Sequence, residues 1–378
     1  MIVRPVQVTD LPALLALGRL AGRGLTTLPV NEERLTHRLR WAQRTFAEQV
    51  ERADADYLFV LEDDDRQVVG VSAMTGAIGL REPWYNYRVG LTVNASPDLG
   101  ISRHIPTLFL NNEMTGQSEL CSLFLRPDQR WGSNGRLLSL GRLLLVAEFP
   151  HLFGEKLIAE LRGSADETGC SPFWDSVGRH FFKMDFSHAD HLSGLGNKSF
   201  IAELMPRQPL YTCLLTERAR AVIGKPHPNS EPALKILTAE GFSHQGYIDI
   251  FDAGPVIEAP VSGIRTVRDS QHLQLAIGTP DEQAPVWLIH NRRLENCRVT
   301  AAPARLTGGN SLMVDRLTAK RLQLQPGDSV RAVPLPDRQQ QVADEPWLAE
   351  RLMSLAGKPA NSSSFQTCPR DSLPHLRR

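Results

Sequence analysis

The segment Leu123-Phe-Leu-Arg-Pro-Asp-Gln-Arg-Trp-Gly-Ser-Asn-Gly135 closes one apolar run and opens directly onto another, Arg136 to Phe149. A strand that delivers the chain into a small-residue turn, with a helix starting at its end, gathers backbone N–H groups at the positive end of a helix dipole. Such a turn suits a phosphate or pyrophosphate. The segment has neither the G-K-[ST] ending of a nucleoside-triphosphate loop nor the G-x-G-x-x-G of dinucleotide folds.

Three other groups have chemistry available to them. His227 lies in Lys225-Pro-His-Pro-Asn229, a stiff loop that fixes an imidazole without burying it, and imidazole exchanges protons near neutral pH. A loop histidine taken alone is more often an ordinary surface residue. Cys121 is a possible nucleophile toward a thioester, but its place inside the apolar stretch Ser118-Glu-Leu-Cys-Ser-Leu-Phe-Leu125 predicts a packed, inert thiol. Asp185, His188, Asp190 and His191 are close in sequence, yet their spacing matches no zinc signature and reads as a polar loop, so no metal is expected.

The patterning supplies elements to carry these groups. Ile2–Val6 reads as a strand, and Asp10 as the N-cap of a helix bearing Leu11, Leu14, Leu15 and Leu17. A second helix is expected from about Glu32 to Val50, capped by Asn31. Tyr57–Glu62 and Val68–Ala73 flank the charged turn Asp63–Arg66 as a hairpin. Extended chain is expected over Tyr87–Val93, Ser118–Leu125, Leu157–Leu161, Phe200–Met205 and Tyr247–Phe251. Helices are expected over Arg136–Phe149 (apolar around most of its surface, hence buried), Pro172–Phe182, Thr216–Ile223 and Glu231–Glu240. Beyond Pro255 the runs Gly263–Val267, Trp287–His290, Cys297–Thr300 and Leu312–Val314 read as short strands, and Leu322–Arg331 as strand, Pro-Gly turn, strand. The expected domains are 1–254, a small β-rich module at 255–338, and a polar extension at 339–378 with a helix over Pro346–Leu355.

The chain of 378 residues has 42 basic and 42 acidic side chains, a balance that excludes nucleic acid as the main partner. Five scattered cysteines without a C-x-x-C pair fit a reducing interior better than a disulfide framework. The start of the chain does not read as a signal peptide, and no run reaches the roughly 18 apolar residues of a membrane span. A cytoplasmic protein with no membrane partner is the expectation.

The turn resembles the arginine/glutamine-x-x-glycine-x-glycine loop with which Gcn5-related acetyltransferases hold the pyrophosphate of coenzyme A. Read from Arg130 it runs Arg130-x-x-Ser133-x-Gly135; read from Gln129 it runs Gln129-x-x-Gly132-x-Asn134. The Arg130 register leaves Gly135 at the helix entry, where a phosphate approaches closest. Longer blocks carry a more specific resemblance: Gly22-Arg-Gly-Leu-Thr-Thr-Leu-Pro29, Pro83-Trp-Tyr-Asn-Tyr-Arg-Val-Gly90, Pro106–Leu110, Ser118–Cys121, Ser171-Pro-Phe-Trp174, Phe200–Pro206, His227-Pro228 and Tyr247-Ile-Asp-Ile-Phe-Asp252. In this order and spacing they resemble the arginine N-succinyltransferase family, the first enzymes of a bacterial arginine-degradation route, over about residues 1–335.

That resemblance implies an α+β, Gcn5-like acyl-CoA N-acyltransferase mixed sheet flanked by helices, with a smaller C-terminal β-barrel-like module. It implies succinyl transfer from succinyl-CoA, a co-substrate, to the α-amine of L-arginine, with no further cofactor. The family's succinyl-CoA contact falls on Leu123, beside Phe124 and Leu125, with Arg130, Ser133, Asn134 and Gly135 forming the loop site. The family's catalytic acid falls on His227. For the acceptor's guanidinium and carboxylate the charged residues in or near these blocks are Glu113, Asp249 and Asp252, and Arg88; each is equally readable as structural. Trp84-Tyr-Asn-Tyr87 either walls the acceptor pocket or fills the core. A homo-oligomer or a pairing with a paralogous subunit is expected. An ornithine-preferring enzyme and a non-catalytic regulatory subunit are the competing readings.

Overall fold

A computed structural model describes residues 1–336 except 23, 24, 26, 166–168, 187, 190–202, 282 and 309. Among the described residues sixteen strands form one sheet, and the hairpin at its centre follows from local chemistry. The strands β1 (Ile2–Pro5), β2 (Asp56–Glu62) and β3 (Val68–Thr75) are apolar runs. The Asp63 carboxylate accepts from the N–H groups of Asp65 and Gln67 at 3.0 and 2.8 Å and so shapes the β2–β3 turn. Next come β4 (Asn86–Ser96), β5 (Ile101–Asn111), β6 (Ser118–Leu125), β7 (Lys156–Glu160), β8 (Leu210–Tyr211), β9 (Ser243–Ile248) and β10 (Pro255–Pro260). Strands β11 (Gln271–Ile277), β12 (Val286–His290), β13 (Val299–Pro303), β14 (Arg305–Thr307), β15 (Ser311–Val314) and β16 (Ser329–Pro334) complete the set. The order is β14-β15-β11-β16-β12-β13-β1-β2-β3-β6-β7-β10-β9-β4-β5-β8. The pairs β6–β7 and β11–β15 are parallel and the others antiparallel, so the sheet is mixed.

Helices cover both faces. On one, α1 (Leu11–Ala21) and α2 (Glu32–Phe46) bury Leu14, Leu17, Leu35 and Leu39 against Val60, Val71 and Ala73. On the other, α3 (Asn134–Glu148) packs against the sheet and also meets β12 and β13, so every residue from Leu137 to Val146 is buried. This matches the pattern of a helix apolar around most of its surface. The α2 cap also forms as expected, with the Asn31 side chain accepting from Arg34 N–H at 3.0 Å. Shorter helices are α4 (Pro172–Ser176), α5 (Gly178–Phe182), α6 (Glu217–Val222), α7 (Glu231–Ala239), α8 (Arg265–Asp269) and α9 (Arg316–Leu322).

The structure corrects several expectations. Asp10 stands at the N-cap position of α1, but its carboxylate makes no cap bond; it grips Arg4 through two bonds of 2.8 and 2.9 Å and accepts from Gln7 N–H, because a bidentate guanidinium outcompetes a helix amide. Helix α2 stops at Phe46 rather than Val50, with Glu48 in a left-handed conformation at φ 54°. The stretch Pro172–Phe182 breaks at Val177 into two helices, and β9 ends at Ile248 rather than at Phe251. Within Gly263–Val267 the chain is helical from Arg265, because Glu240 accepts from Thr266 N–H at 2.7 Å and pairs with Arg265. Leu322 ends a helix instead of starting a strand, since Asp315 caps α9 through Thr318 N–H. Residues 200–202 of the expected strand Phe200–Met205, together with Asp190, His191 and the extension from 339 onward, lie outside the described residues.

Strands β11 to β16 enclose their own apolar cluster, including Leu273, Leu275, Trp287, Ile289, Leu312 and Val330. The stretch 299–307 pairs with β12 along its first half and with β15 along its second. Among the described residues no helix is long and apolar enough to cross a membrane.

Candidate active site

The site begins with two parallel strands that part company. β6 and β7 share rungs at Ser118↔Leu157 and Glu119↔Ile158 and, among the described residues, none beyond. β6 continues alone on that side to Leu125 while β7 leans on β10. A bulge enforces the departure. On β3, Ala73 pairs with Cys121 and Val71 with Phe124, so Ser122 and Leu123 together face Ser72, and Ser122 adopts φ 53°. Diverging strands turn backbone N–H and C=O groups into the gap, where an amide-bearing chain can pair with them. The side chains of Leu123 and Leu125 pack on the α3 side and that of Phe124 on the α1/α2 side, which leaves the backbone to meet a ligand.

Two arginines, Arg142 buried and Arg38 partly buried, hold the bulge from opposite faces. From α3, Arg142 donates to the carbonyls of Ala73 and Cys121 at 2.9 and 3.3 Å and to Ser139; burial lowers its pKa to about 10. Its hydrogen-bond acceptors are all neutral, an arrangement that costs several kcal/mol in an apolar core. From α2, Arg38 pairs with Asp56 and donates to Ser122 Oγ at 3.2 Å and to the Thr27 carbonyl. Cys121 itself is a poor nucleophile: burial, then Glu119, pushes its thiol up to about 12.

At the end of β6 the chain enters the turn. Arg130 Nε donates to the Leu125 carbonyl at 3.0 Å and its guanidinium lies 5.7 Å over the Phe124 ring, so it braces the strand end. The buried side chain of Asn134 donates to the Gln129 carbonyl at 3.0 Å and holds the turn closed. Ser133 precedes α3 and accepts from Arg136, which also reaches the Pro336 carbonyl. Gly132 takes φ 58°, and a side chain starting at Gly135 would meet open space, with no atom of the described residues beyond its neighbours and its own helix backbone within 4 Å. The α3 N-terminus is thereby open to a ligand, with Arg126, Arg130 and Arg136 near it and Asp128 on Arg126.

Because β6 and β7 are parallel, β7 also ends on this side. There Arg162 accepts at its carbonyl from His227 N–H at 2.7 Å. His227 Nδ1 accepts from Asn229 N–H at 3.1 Å, which leaves Nε2 to carry the proton of the neutral ring. Burial, then the Arg162 charge, lowers the pKa of His227. Asp252 takes Gly163 N–H and Gly254 N–H at 2.7 and 2.8 Å, one on each oxygen. Asp249 takes the N–H groups of Phe251 and Asp252 and shares side-chain hydrogen bonds with Asp252 and Glu160. Burial raises the pKa of both aspartates, and their mutual repulsion raises Asp252 further.

Arg88 and Glu113 meet at 3.6 Å, both about half exposed. Arg88 also stacks 5.6 Å over the Tyr247 ring, and the Tyr247 hydroxyl donates to Glu113. Burial, then that carboxylate, raises Tyr247 to about 12. Trp84 and Tyr87 are buried in apolar clusters, while Asn86, fully buried, has neither polar atom of its amide bonded among the described residues. The expected residues therefore fall into three groups: β6 with its turn, His227 with the aspartates, and Arg88 with Glu113. Sequence reasoning did not select Glu160, Tyr247, Arg38 or Arg142. Arg142, set amid the leucines of α3, was the one visible signal; Glu160 reads as the ordinary polar end of a strand.

Residues 1–266 match the family model described as arginine N-succinyltransferase beta subunit, and residues 271–334 the model for that subunit's C-terminal domain. An arginine N-succinyltransferase subunit beta from Pseudomonas aeruginosa is 67% identical over 335 residues, covering 89% of this chain and 98% of its own length. An arginine N-succinyltransferase from Yersinia pestis is 46% identical over 341 residues, covering 88% and 97%. The solved structure of arginine/ornithine succinyltransferase subunit AI from Pseudomonas aeruginosa superposes with a TM-score of 0.81 at 34% identity, covering 89% of this chain and 99% of its own.

Proposed function

The chain belongs to the arginine N-succinyltransferase family, and from that membership we propose that it transfers the succinyl group of succinyl-CoA to the α-amine of L-arginine, giving N2-succinyl-L-arginine and CoA. The observation that carries this reading is the parting of β6 from β7 beside an open helix N-terminus. The pantetheine amides pair with the backbone around Leu123, and the pyrophosphate rests on the turn from Arg130 to Gly135. Arg130 and Asn134 shape that turn, and Ser133 and Gly135 line it. These features support a Gcn5-like domain over residues 1–254, and the separate apolar cluster of β11 to β16 supports a small barrel-like module over 255–338.

Transfer is direct, with no cofactor beyond the co-substrate. The inert thiol of Cys121 favours this over a covalent route. His227 serves the leaving group, supplying a proton to the CoA thiolate through Nε2. Arg88 and Glu113 receive the acceptor's carboxylate and guanidinium by exchanging each other for the ligand, and the unbonded amide of Asn86 on the same strand adds a polar contact. Asp249 and Asp252 act indirectly, holding the chain ends that carry Glu160 and His227. The relatives named as subunits support work in an oligomer, with copies of itself or with a paralogue.

The test is thiol release from succinyl-CoA by the full chain with L-arginine, L-ornithine or no amine. Release that depends on arginine and exceeds that with ornithine supports the reading. Faster release with ornithine reassigns the acceptor, and tight succinyl-CoA binding without release with any amine favours a regulatory subunit.

A further inference from the structure

The acceptor's α-amine is an ammonium at neutral pH and must lose a proton before it attacks a thioester. His227 serves the leaving group, so the attacking nitrogen needs a different partner. Continuing the offset of the two β6–β7 rungs sets Glu160 across the gap from Cys121, one residue before the bulge at Ser122. The rungs Glu160↔Val256, Val256↔Tyr247 and Tyr247↔Arg88 put Glu160 on the same face of the sheet as Tyr247 and Arg88. Glu160 is half-buried and hydrogen-bonded to Asp249. It thus lies between the acyl gap and the pair proposed to receive the amino acid.

We propose that Glu160 is the base that takes the proton from the acceptor's α-ammonium, and that Asp249, pinned by the backbone and by Asp252, fixes its carboxyl toward the gap. This rests on the succinyl-transfer reading. The step balances: one ammonium N–H bond breaks to Glu160, nitrogen bonds to the thioester carbon, the C–S bond breaks, and His227 gives its Nε2 proton to the sulfur while the nitrogen's second proton, passed through solvent, restores the ring. The charged and titratable groups around Glu160 are Glu119 and Cys121 on β6, Glu258 and Lys156 paired on β10 and β7, and Tyr247 and Asp249 at β9. Arg88 lies farther along the face, with Arg162 and His227 beyond the end of β7. Burial raises the pKa of both aspartates beside Glu160.

The experiment compares full-length wild type with Glu160→Gln and Glu160→Asp between about pH 6 and pH 10. In Glu160→Gln, kcat/KM for arginine should fall by ~10²–10⁴-fold near neutrality, with succinyl-CoA affinity unchanged. The deficit should shrink about tenfold per pH unit as solvent supplies the neutral amine. Glu160→Asp, which keeps a carboxylate drawn back from the gap, should lower kcat while retaining the wild-type pH profile, and it decides the matter if the glutamine variant does not fold. A Glu160→Gln profile parallel to wild type, or a Glu160→Asp profile that has lost its acid limb, overturns the assignment. Wild type that releases no thiol with any amine overturns the succinyl-transfer reading and this inference with it.

Discussion

The backbone N–H of His227 donates to the carbonyl of Arg162 at 2.7 Å, two residues beyond Glu160. A histidine from a distant loop therefore takes its position from the same strand end that carries the carboxylate facing the gap. The ring is fixed as well, since Nδ1 is taken by Asn229 N–H. Burial opposes a charge on the ring and the Arg162 cation repels it, which is why the pKa falls.

His227 holds the loop through Nδ1 and does its chemistry through Nε2, and two substitutions separate these. His227→Asn keeps an acceptor for Asn229 N–H, as a good N-cap residue does, but has no Nε2. Both His227→Asn and His227→Ala should lose ~10²–10⁴-fold in kcat with succinyl-CoA affinity unchanged, as read by thiol release and titration. An active His227→Asn would make the histidine a cap and nothing more.

Gly135→Ala places its new methyl in open space, clear of the described residues other than its neighbours and its own helix backbone. The fold should not notice: the melting temperature should stay within about 2 °C of wild type. Succinyl-CoA binding should weaken about tenfold or more, since that methyl stands where the pyrophosphate meets the α3 N-terminus. Unchanged affinity would move the phosphate site elsewhere.

Arg130→Ala removes the brace on Leu125 and one positive charge from the turn. The expected result is roughly tenfold weaker succinyl-CoA binding, with the loss greater at low salt than at high. A defect confined to kcat would mean that Arg130 does not serve the nucleotide.

Asp249→Asn tests the buried carboxyl pair. Raised carboxyl pKa values mean that the protonated form is the one the fold favours, so this contribution is complete below about pH 4 and is lost as pH rises through the raised values. The amide cannot ionise, yet its oxygen still accepts the N–H groups of Phe251 and Asp252. Thermal melts should show Asp249→Asn gaining on wild type as pH rises, by about 2–4 °C for each kcal/mol relieved, with the difference shrinking below about pH 4. A constant difference across pH would rule out a shared proton.

Much of this was legible in the residues. The β2–β3 hairpin, the Asn31 cap and the buried α3 rest on short-range patterns, which a chain displays without reference to its fold. The turn at Arg130–Gly135 was equally visible. The bulge at Ser122 was not, because it depends on Arg142 and Arg38 reaching it from helices on opposite faces, and no local pattern encodes that meeting. Glu160 was hidden for the same reason: its meaning comes from the register of β6 against β7. The misreading of Leu322 came from weighing Pro-Gly above the Asp315 cap seven residues earlier.

The strand β1 lies between β2 and β13, and the Thr300 hydroxyl donates to the Met1 carbonyl, a contact spanning 299 positions. During synthesis β1 can pair with β2 early, but its other edge stays open until β13 has left the ribosome, on the order of tens of seconds later. A nascent chain in that interval presents an unpaired strand edge in the middle of what will become one sheet, the kind of edge on which a neighbouring nascent chain can pair. The C-terminal strands thus act, in effect, as the last piece of a cotranslational closure, and a message cut short before them yields a polypeptide with an open seam.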